Sequence, residues 1–89
     1  MANVWGADVE QLRNLSRQLS AGSAEIQRQR NLLTNALTNT EWTGPDAVAF
    51  RSQWEGEHVQ SLARVAEALE QAGQQATRNA QQQYDASQG

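Results

Sequence analysis

Apolar residues recur through the first half of the chain with alternating gaps of three and four residues. This is the period of a helix that packs along one seam. The series includes Gly22 as a small member and Gln29 as a polar one. Asp8 and Glu10 precede the seam, where the dipole of a helix favours acids. The pattern therefore predicts a first helix over about residues 7–38, with the seam Leu12, Leu15, Leu19, Gly22, Ile26, Gln29, Leu33 and Ala36.

The second half of the chain carries two parallel seams. One continues the three-four alternation through Leu62, Val65, Leu69, Ala72, Ala76 and Asn79; upstream, Ala47, Phe50, Trp54 and His58 extend it with a local phase shift that resembles a stutter. The other is built mainly from small residues: Val59, Ala63, Ala66, Gly73, Thr77 and Ala80. A face this wide indicates contact with more than one neighbouring helix. A second helix is predicted over about residues 45–84, followed by a flexible C-terminal tail.

The segment "NTEWTGPDAVAF" separates the two helical patterns at residues 39–50. Thr38, Asn39 and Thr40, where the segment begins, prefer helix ends and turns. Gly44 suits a position that needs backbone freedom or a cap, Pro45 suits the first position of a new helix, and Asp46 supports the dipole. We expect a turn over about residues 39–44, and a connection this short makes the helices antiparallel neighbours.

Matching the two leucine seams predicts a register in which facing residue numbers add to about 84. Leu15 then faces Leu69, and Gly22 faces Leu62 and makes room for it. The expected fold is all-α: an antiparallel two-helix hairpin that pairs into a four-helix bundle dimer. The residues predicted to pack the hairpin and the dimer are Leu12, Leu15, Leu19, Gly22, Ile26, Leu33, Phe50, Trp54, Leu62, Val65, Leu69 and Ala72.

The size of the chain supports the expectation of a partner. With 89 residues it holds one domain. A domain this small buries a limited part of its surface and is marginally stable alone. A single hairpin also leaves residues such as Leu32 and Val59 off the main seam. A second hairpin, identical or different, would cover them, and the sequence leaves homodimer and heterodimer open.

Charge and composition exclude several classes of function. The net charge is −3, from 10 acids and 7 bases that are all arginine. Without a basic cluster, neither nucleic acid nor anionic lipid is expected as a partner. With no cysteine and the single histidine His58, a metal site is not expected, and neither is a cofactor. The serines lack an evident base partner, so no enzyme activity is expected. Most charged side chains are predicted to form a solvated face.

Two of the tryptophans, Trp5 and Trp42, lie at predicted ends of the helices. Trp42 is in the turn and is predicted to plug the end of the bundle or to dock a partner. Trp5 precedes the first helix and is predicted to cover its start or to contact a partner. Phe50 and Trp54, one helical turn apart, are predicted to pack in the core.

A hairpin of this length with Trp42-Thr43-Gly44 in its central turn resembles the WXG family, small secreted proteins typified by the early-secretory-antigenic-target proteins. The likeness covers essentially the whole chain. It rests on the Trp-x-Gly turn, the two matched helices, the absence of cysteine, and a first segment without the basic-then-apolar layout of a cleaved signal peptide. The run "WTGPDAVAFRSQW" also looks like the sequence that usually follows the family's motif.

This resemblance implies export through a type VII (ESX) secretion system, without a cleaved signal peptide and from the cytoplasm. Family members act as homodimers or heterodimers, travel folded, and serve as effectors or as partners of larger toxins. Their recognition is attributed to the Trp-x-Gly turn together with a C-terminal Tyr-x-x-x-Asp/Glu. Here the turn matches at Trp42 and Gly44, and the tail matches at Tyr84 but has Gln88 in place of the acid.

Two alternatives stay open on the tail: a partner chain supplies the tail signal, or this branch uses a looser one. The implied partners are a second hairpin, the secretion ATPase and a larger toxin cargo, with no nucleic acid and no stable membrane insertion. The alternative function is a non-secreted intracellular helical adaptor, for which Trp42 only closes the turn. Membrane disruption after export has less support, because the chain lacks a basic amphipathic helix.

Overall fold

A computed structural model describes residues 8–88, which form an all-α hairpin. The first arm is α1, Val9–Asn39. The second arm is continuous and comprises α2, Pro45–Gln53, a π-helical segment, Trp54–His58, and α3, Val59–Gln88. The arms lie antiparallel in a rod 65 Å long and 17 × 14 Å across. The predicted all-helical class and the two-helix arrangement are confirmed.

The ends of the arms follow from local hydrogen bonding. Asp8 is the N-cap of α1, and its carboxylate accepts from the backbone N–H of Gln11 at 2.9 Å. At the other end, α3 continues through residues 85–88, where a flexible tail was predicted. No glycine or proline interrupts it there, and Gln81 donates to Asp85 one turn along at 2.9 Å. Trp5, predicted to cover the start of the first helix, lies outside the described residues.

The π-helical segment accounts for the phase shift in the sequence of the second arm. A π-turn adds one residue to a helical turn, and here the backbone N–H of Val59 bonds to the carbonyl of Trp54. The insertion rotates the helix between α2 and α3. Consequently Ala47 before it, Trp54 at its first position, and Ala66 and Gly73 after it are all buried.

The two arms are joined by a ladder of hydrogen bonds with a period of seven residues. In each rung, a polar side chain of α1 donates to a backbone carbonyl of α3. The pairs are Ser16 with Gly73 at 2.8 Å, Ser23 with Ala66 at 2.6 Å, and Arg30 with Val59 at 2.8 Å. A serine hydroxyl is short, so these bonds require the two backbones to approach closely.

The ladder shows that the predicted register was wrong. Facing residue numbers add to 89 in every rung, five more than the predicted 84. The prediction matched leucine to leucine, but the small-residue line of α3 is what faces α1. Gly22 therefore does not make room for Leu62; a Cβ placed on it would be 3.7 Å from Leu69 Cδ1, an ordinary contact.

Gly73 is the glycine that the close approach requires. A Cβ there would lie 3.1 Å from Ser20 Oγ, 3.2 Å from the backbone carbonyl oxygen of Ser16 and 3.5 Å from Leu19 Cβ. The backbone atom of Ser16 has little freedom to retreat. Hence the helices meet over a position without a side chain, as the ridge-and-groove geometry of close helix packing allows.

The core of the hairpin is narrow and made of small side chains. The buried apolar residues of the described chain are Trp54 and the alanines Ala47, Ala66, Ala76 and Ala80. Eight of the larger apolar residues are at least 38% exposed: Leu15, Leu32, Leu33, Trp42, Val48, Phe50, Val65 and Tyr84. Because burial of large apolar side chains supplies most folding free energy, a single hairpin with this core gains little from it.

The arginines do not all lie on a solvated face as predicted. Arg28 does: it forms an exposed pair with Glu25 at 2.7 Å, and its hydrogen bond lowers the pKa of the Glu25 carboxyl. An exposed pair of this kind stabilises a helix little. Arg30 instead reaches across to α3, as does Arg51 from the second arm to α1. These two link the arms.

The two helical glycines give a matched test of the close approach. Gly73→Ala is expected to destabilise the hairpin by about 1–3 kcal/mol, because the new Cβ overpacks against the backbone of α1. Gly22→Ala is expected to stabilise it by up to about 1 kcal/mol, since alanine is the better helix former and has room. Urea unfolding followed by circular dichroism measures both. Equal stabilities for the two variants would contradict the close approach of the two helices at Gly73.

Candidate functional site

The central turn, residues 40–44, has a backbone conformation that requires its glycine. Thr40 is extended and ends α1. Gly44 is the N-cap of α2 with φ 109° and ψ 173°, a region that residues with a side chain rarely adopt. Pro45 follows at the start of the helix, and Val48 donates its N–H to the Gly44 carbonyl at 3.1 Å. The backbone role predicted for Gly44 is thus observed.

Arg51 ties the turn to the end of α1. Its Nε and Nη2 donate to the Leu37 carbonyl at 3.1 and 2.9 Å, Nη2 also donates to the Thr40 carbonyl at 2.9 Å, and Nη1 donates to the Trp42 carbonyl at 2.6 Å. The last turn of α1 contains no basic residue of its own. The carbonyl of Leu37 in that turn, and that of the C-cap Thr40, are instead satisfied by this one planar guanidinium from the opposite arm.

The same guanidinium lies over the side chain of Trp42. The carbon Cζ of Arg51 is 5.7 Å from the centre of the Trp42 ring, within the range of a cation–π contact. Trp42 also packs against Phe50, with ring centres 6.2 Å apart. It nevertheless remains 40% exposed. The ring is therefore held from one side and presented to solvent on another.

Phe50 is the centre of an aromatic cluster at the turn end, with Trp42, Trp54 and His58 around it. Its ring centre is 6.4 Å from those of Trp54 and His58. Trp54 is buried as predicted, and its indole N–H donates to Thr34 Oγ1 at 2.9 Å. Phe50, predicted to pack in the core, is instead 38% exposed in the hairpin, because it lies three residues after the buried Ala47 and four before the buried Trp54, to one side of the line they form.

Tyr84 lies at the other end of the rod from Trp42. It is on α3, four residues before Gln88, and is 42% exposed. Arg13 of α1 lies over its ring at 5.6 Å. About 40 helical residues separate Tyr84 from the turn, or roughly 60 Å at 1.5 Å per residue. One hairpin therefore does not bring together the two parts of the predicted recognition signal.

The remaining predicted packing residues form an exposed apolar stripe, here called the leucine face: Leu15, Gly22 and Leu33 of α1, and Phe50, Val65 and Ala72 of the second arm. In α1, Leu15 and Gly22 directly precede the ladder residues Ser16 and Ser23. In α3, Val65 and Ala72 directly precede Ala66 and Gly73. The helices are antiparallel and face each other. The residue that precedes an inter-helix contact residue therefore points toward the same side of the hairpin in both helices.

Leu12, Leu19, Ile26, Leu62 and Leu69 lie between the leucine face and the seam and are half-buried. The opposite side of the hairpin is mostly polar. It carries residues such as Arg13, Ser20, Gln27, Glu70 and Thr77 at the corresponding flanking positions. The hairpin as a whole is thus amphipathic across its width.

Within residues 8–88, no three His, Cys, Asp or Glu side chains lie together as a metal site requires. The hydroxyls of Ser16 and Ser23 donate to carbonyls of α3. None of the helices in this part of the chain combines the length and the apolar character needed to span a bilayer.

Comparison of the chain with protein-family models, with curated proteins and with solved structures found no match. The function is therefore inferred from the geometry of the turn, the leucine face and the mostly polar side opposite it.

Gly44→Ala tests the strain at the turn. It is expected to cost about 1–3 kcal/mol, because the alanine must adopt backbone angles that are nearly exclusive to glycine. Nothing lies within 4 Å of a Cβ at position 44, so crowding would not contribute. Gly56→Ala is the control: it is helical, equally uncrowded, and expected to be neutral or stabilising. Thermal unfolding compares the two, and an unaffected Gly44→Ala would refute the strained turn.

Proposed function

We propose that this chain is a WXG-type helical hairpin that pairs with a second hairpin and acts in type VII secretion, as a substrate or as the partner of one. The observation that carries the proposal is the half-exposed Trp42, held in the turn between two antiparallel helical arms. The work of such a protein is binding, so the relevant features are a recognition surface and a pairing surface.

The recognition surface is the turn. Large aromatic side chains that are fixed in place but exposed are typical of residues that anchor protein interfaces. Trp42 meets this description, because Arg51 and Phe50 hold one side of it. Gly44 permits the backbone conformation that presents it.

The pairing surface is the leucine face. Its exposed members run along one side of the rod, while the opposite side is mostly polar, as expected for a hairpin covered on one side only. A second hairpin on this face would form a four-helix bundle and bury the leucines that the alanine-rich seam leaves uncovered. Whether that hairpin is a second copy or a different chain is left to experiment.

Pairing also bears on Tyr84. One hairpin holds Tyr84 and Trp42 at opposite ends. If the second hairpin runs antiparallel to the first, its tail lies beside the turn of this chain. A recognition signal in two parts would then be assembled from both chains, and a partner of different sequence would supply the acid that is missing at position 88.

Pairing is tested with Val65→Glu, which places a charge on the leucine face. The wild-type chain is expected to sediment above its monomer mass, alone or mixed with a hairpin protein encoded next to it. Val65→Glu is expected to shift it to monomer, because an unpaired carboxylate would be buried in the interface. Gln71→Glu adds the same charge at an exposed position of α3 and is expected to change nothing. A chain that is monomeric under both conditions would rule out the pairing surface.

Export is tested with the tagged protein in its own host, with and without an active type VII ATPase. Appearance in the medium is expected only with the ATPase. Trp42→Ala is expected to weaken recognition by about 2 kcal/mol or more, roughly thirtyfold, the usual effect of truncating a tryptophan anchor. Far-ultraviolet circular dichroism confirms that the variant keeps its helicity. If the wild type stays in the cell in both strains while other substrates leave, it is an intracellular adaptor.

A further inference from the structure

We infer that Arg51 is a positioning residue: it fixes Trp42 in the orientation that a partner recognises, so that the turn is a preformed docking surface. The inference rests on the proposed function for what recognises Trp42, and on geometry for how Trp42 is held.

Little else in the described chain fixes the Trp42 segment. Trp42 N–H donates to the Thr40 carbonyl at 3.0 Å, a contact within the turn itself. From outside the turn, the contacts come from Phe50, through its ring, and from Arg51, through its guanidinium. Arg51 thus provides the hydrogen bonds that link residues 40–42 to the second arm.

Arg51 acts on both the backbone and the side chain of Trp42. Nη1 holds the Trp42 carbonyl at 2.6 Å, while the guanidinium lies over the indole ring at 5.7 Å. The other donors of the same group are bound to Leu37 and Thr40 at the end of α1. The position of the ring is consequently tied to the rigid end of a helix 31 residues long.

A lysine in this place would keep the charge but not the planar fork that reaches three carbonyls at once. The turn would then sample several conformations, and a partner would have to order both the indole and its backbone on binding. Ordering one large side chain in an interface lowers affinity by about three- to tenfold. The rest of the hairpin is joined by the serine ladder and by Arg30, which the substitution does not touch.

The experiment compares Arg51→Lys and Arg51→Gln with Arg64→Gln as control. Arg64 is an exposed arginine of α3 that donates to Ser61 at 3.1 Å within its own helix. The first readout needs no partner. The indole N–H signal of Trp42 in a proton–nitrogen spectrum is assigned by its loss in Trp42→Phe, and its relaxation reports mobility. The Arg51 variants are expected to raise mobility at Trp42 and leave the signal of Trp54 unchanged.

The second readout is export of the same variants. A three- to tenfold loss for both Arg51 variants is expected, with helicity retained and Arg64→Gln exported like the wild type. Unchanged mobility of Trp42 in the Arg51 variants would overturn the inference. So would wild-type export of these variants if Trp42→Ala is not exported; that result would leave the proposed function standing. Normal export of Trp42→Ala would instead overturn the recognition role proposed for Trp42, and with it any role of Arg51 in recognition; loss of ATPase-dependent export of the wild type is what would overturn the proposed function itself.

Discussion

The structure depends on how closely the two helices approach. Serine hydroxyls of α1 reach carbonyls of α3 at 2.6–2.8 Å, and this is possible only because alanine and glycine line the facing side. Once the small residues occupy the seam, the leucines have no place in it. They are displaced to one side and remain partly exposed, so the feature that joins the arms also leaves the hairpin with an uncovered apolar stripe.

The overall architecture could be predicted from the sequence because it depends on features that are local. The three-four spacing of Leu12, Leu15 and Leu19, and the Gly44-Pro45 break, are enough to give two antiparallel helices and the place of the turn. The phase shift around Trp54 was also readable as an irregularity. Its form, a π-helical segment, depends on contacts with Thr34 that no local pattern contains.

The register and the role of Arg51 were not predictable by the same means. A register predicted by pairing apolar residues places leucine opposite leucine, because it considers buried apolar area and not how closely two backbones can approach. It takes no account of the bonds that the hydroxyls of Ser16 and Ser23 donate to backbone carbonyls. Arg51 is missed for a related reason: its acceptors are backbone atoms 9–14 residues away, and every residue offers a carbonyl. A useful signal was the absence of any basic residue in the last turn of α1, which leaves its carbonyls without a local partner.

The ladder between the arms repeats every seven residues, and its acceptors are backbone groups common to all residues. It is therefore nearly degenerate. If α3 slid by seven residues, Ser23 would face Gly73 and Ser16 would face Ala80, whose Cβ would crowd the Ser16 backbone where Gly73 leaves room. Besides this contact, the observed register is distinguished from the shifted one by the short connection at residues 40–44, with Arg51 joined to Leu37 and Trp54 joined to Thr34. The turn thus helps to set the register of a periodic structure, and a longer, looser turn would weaken the preference for the observed register.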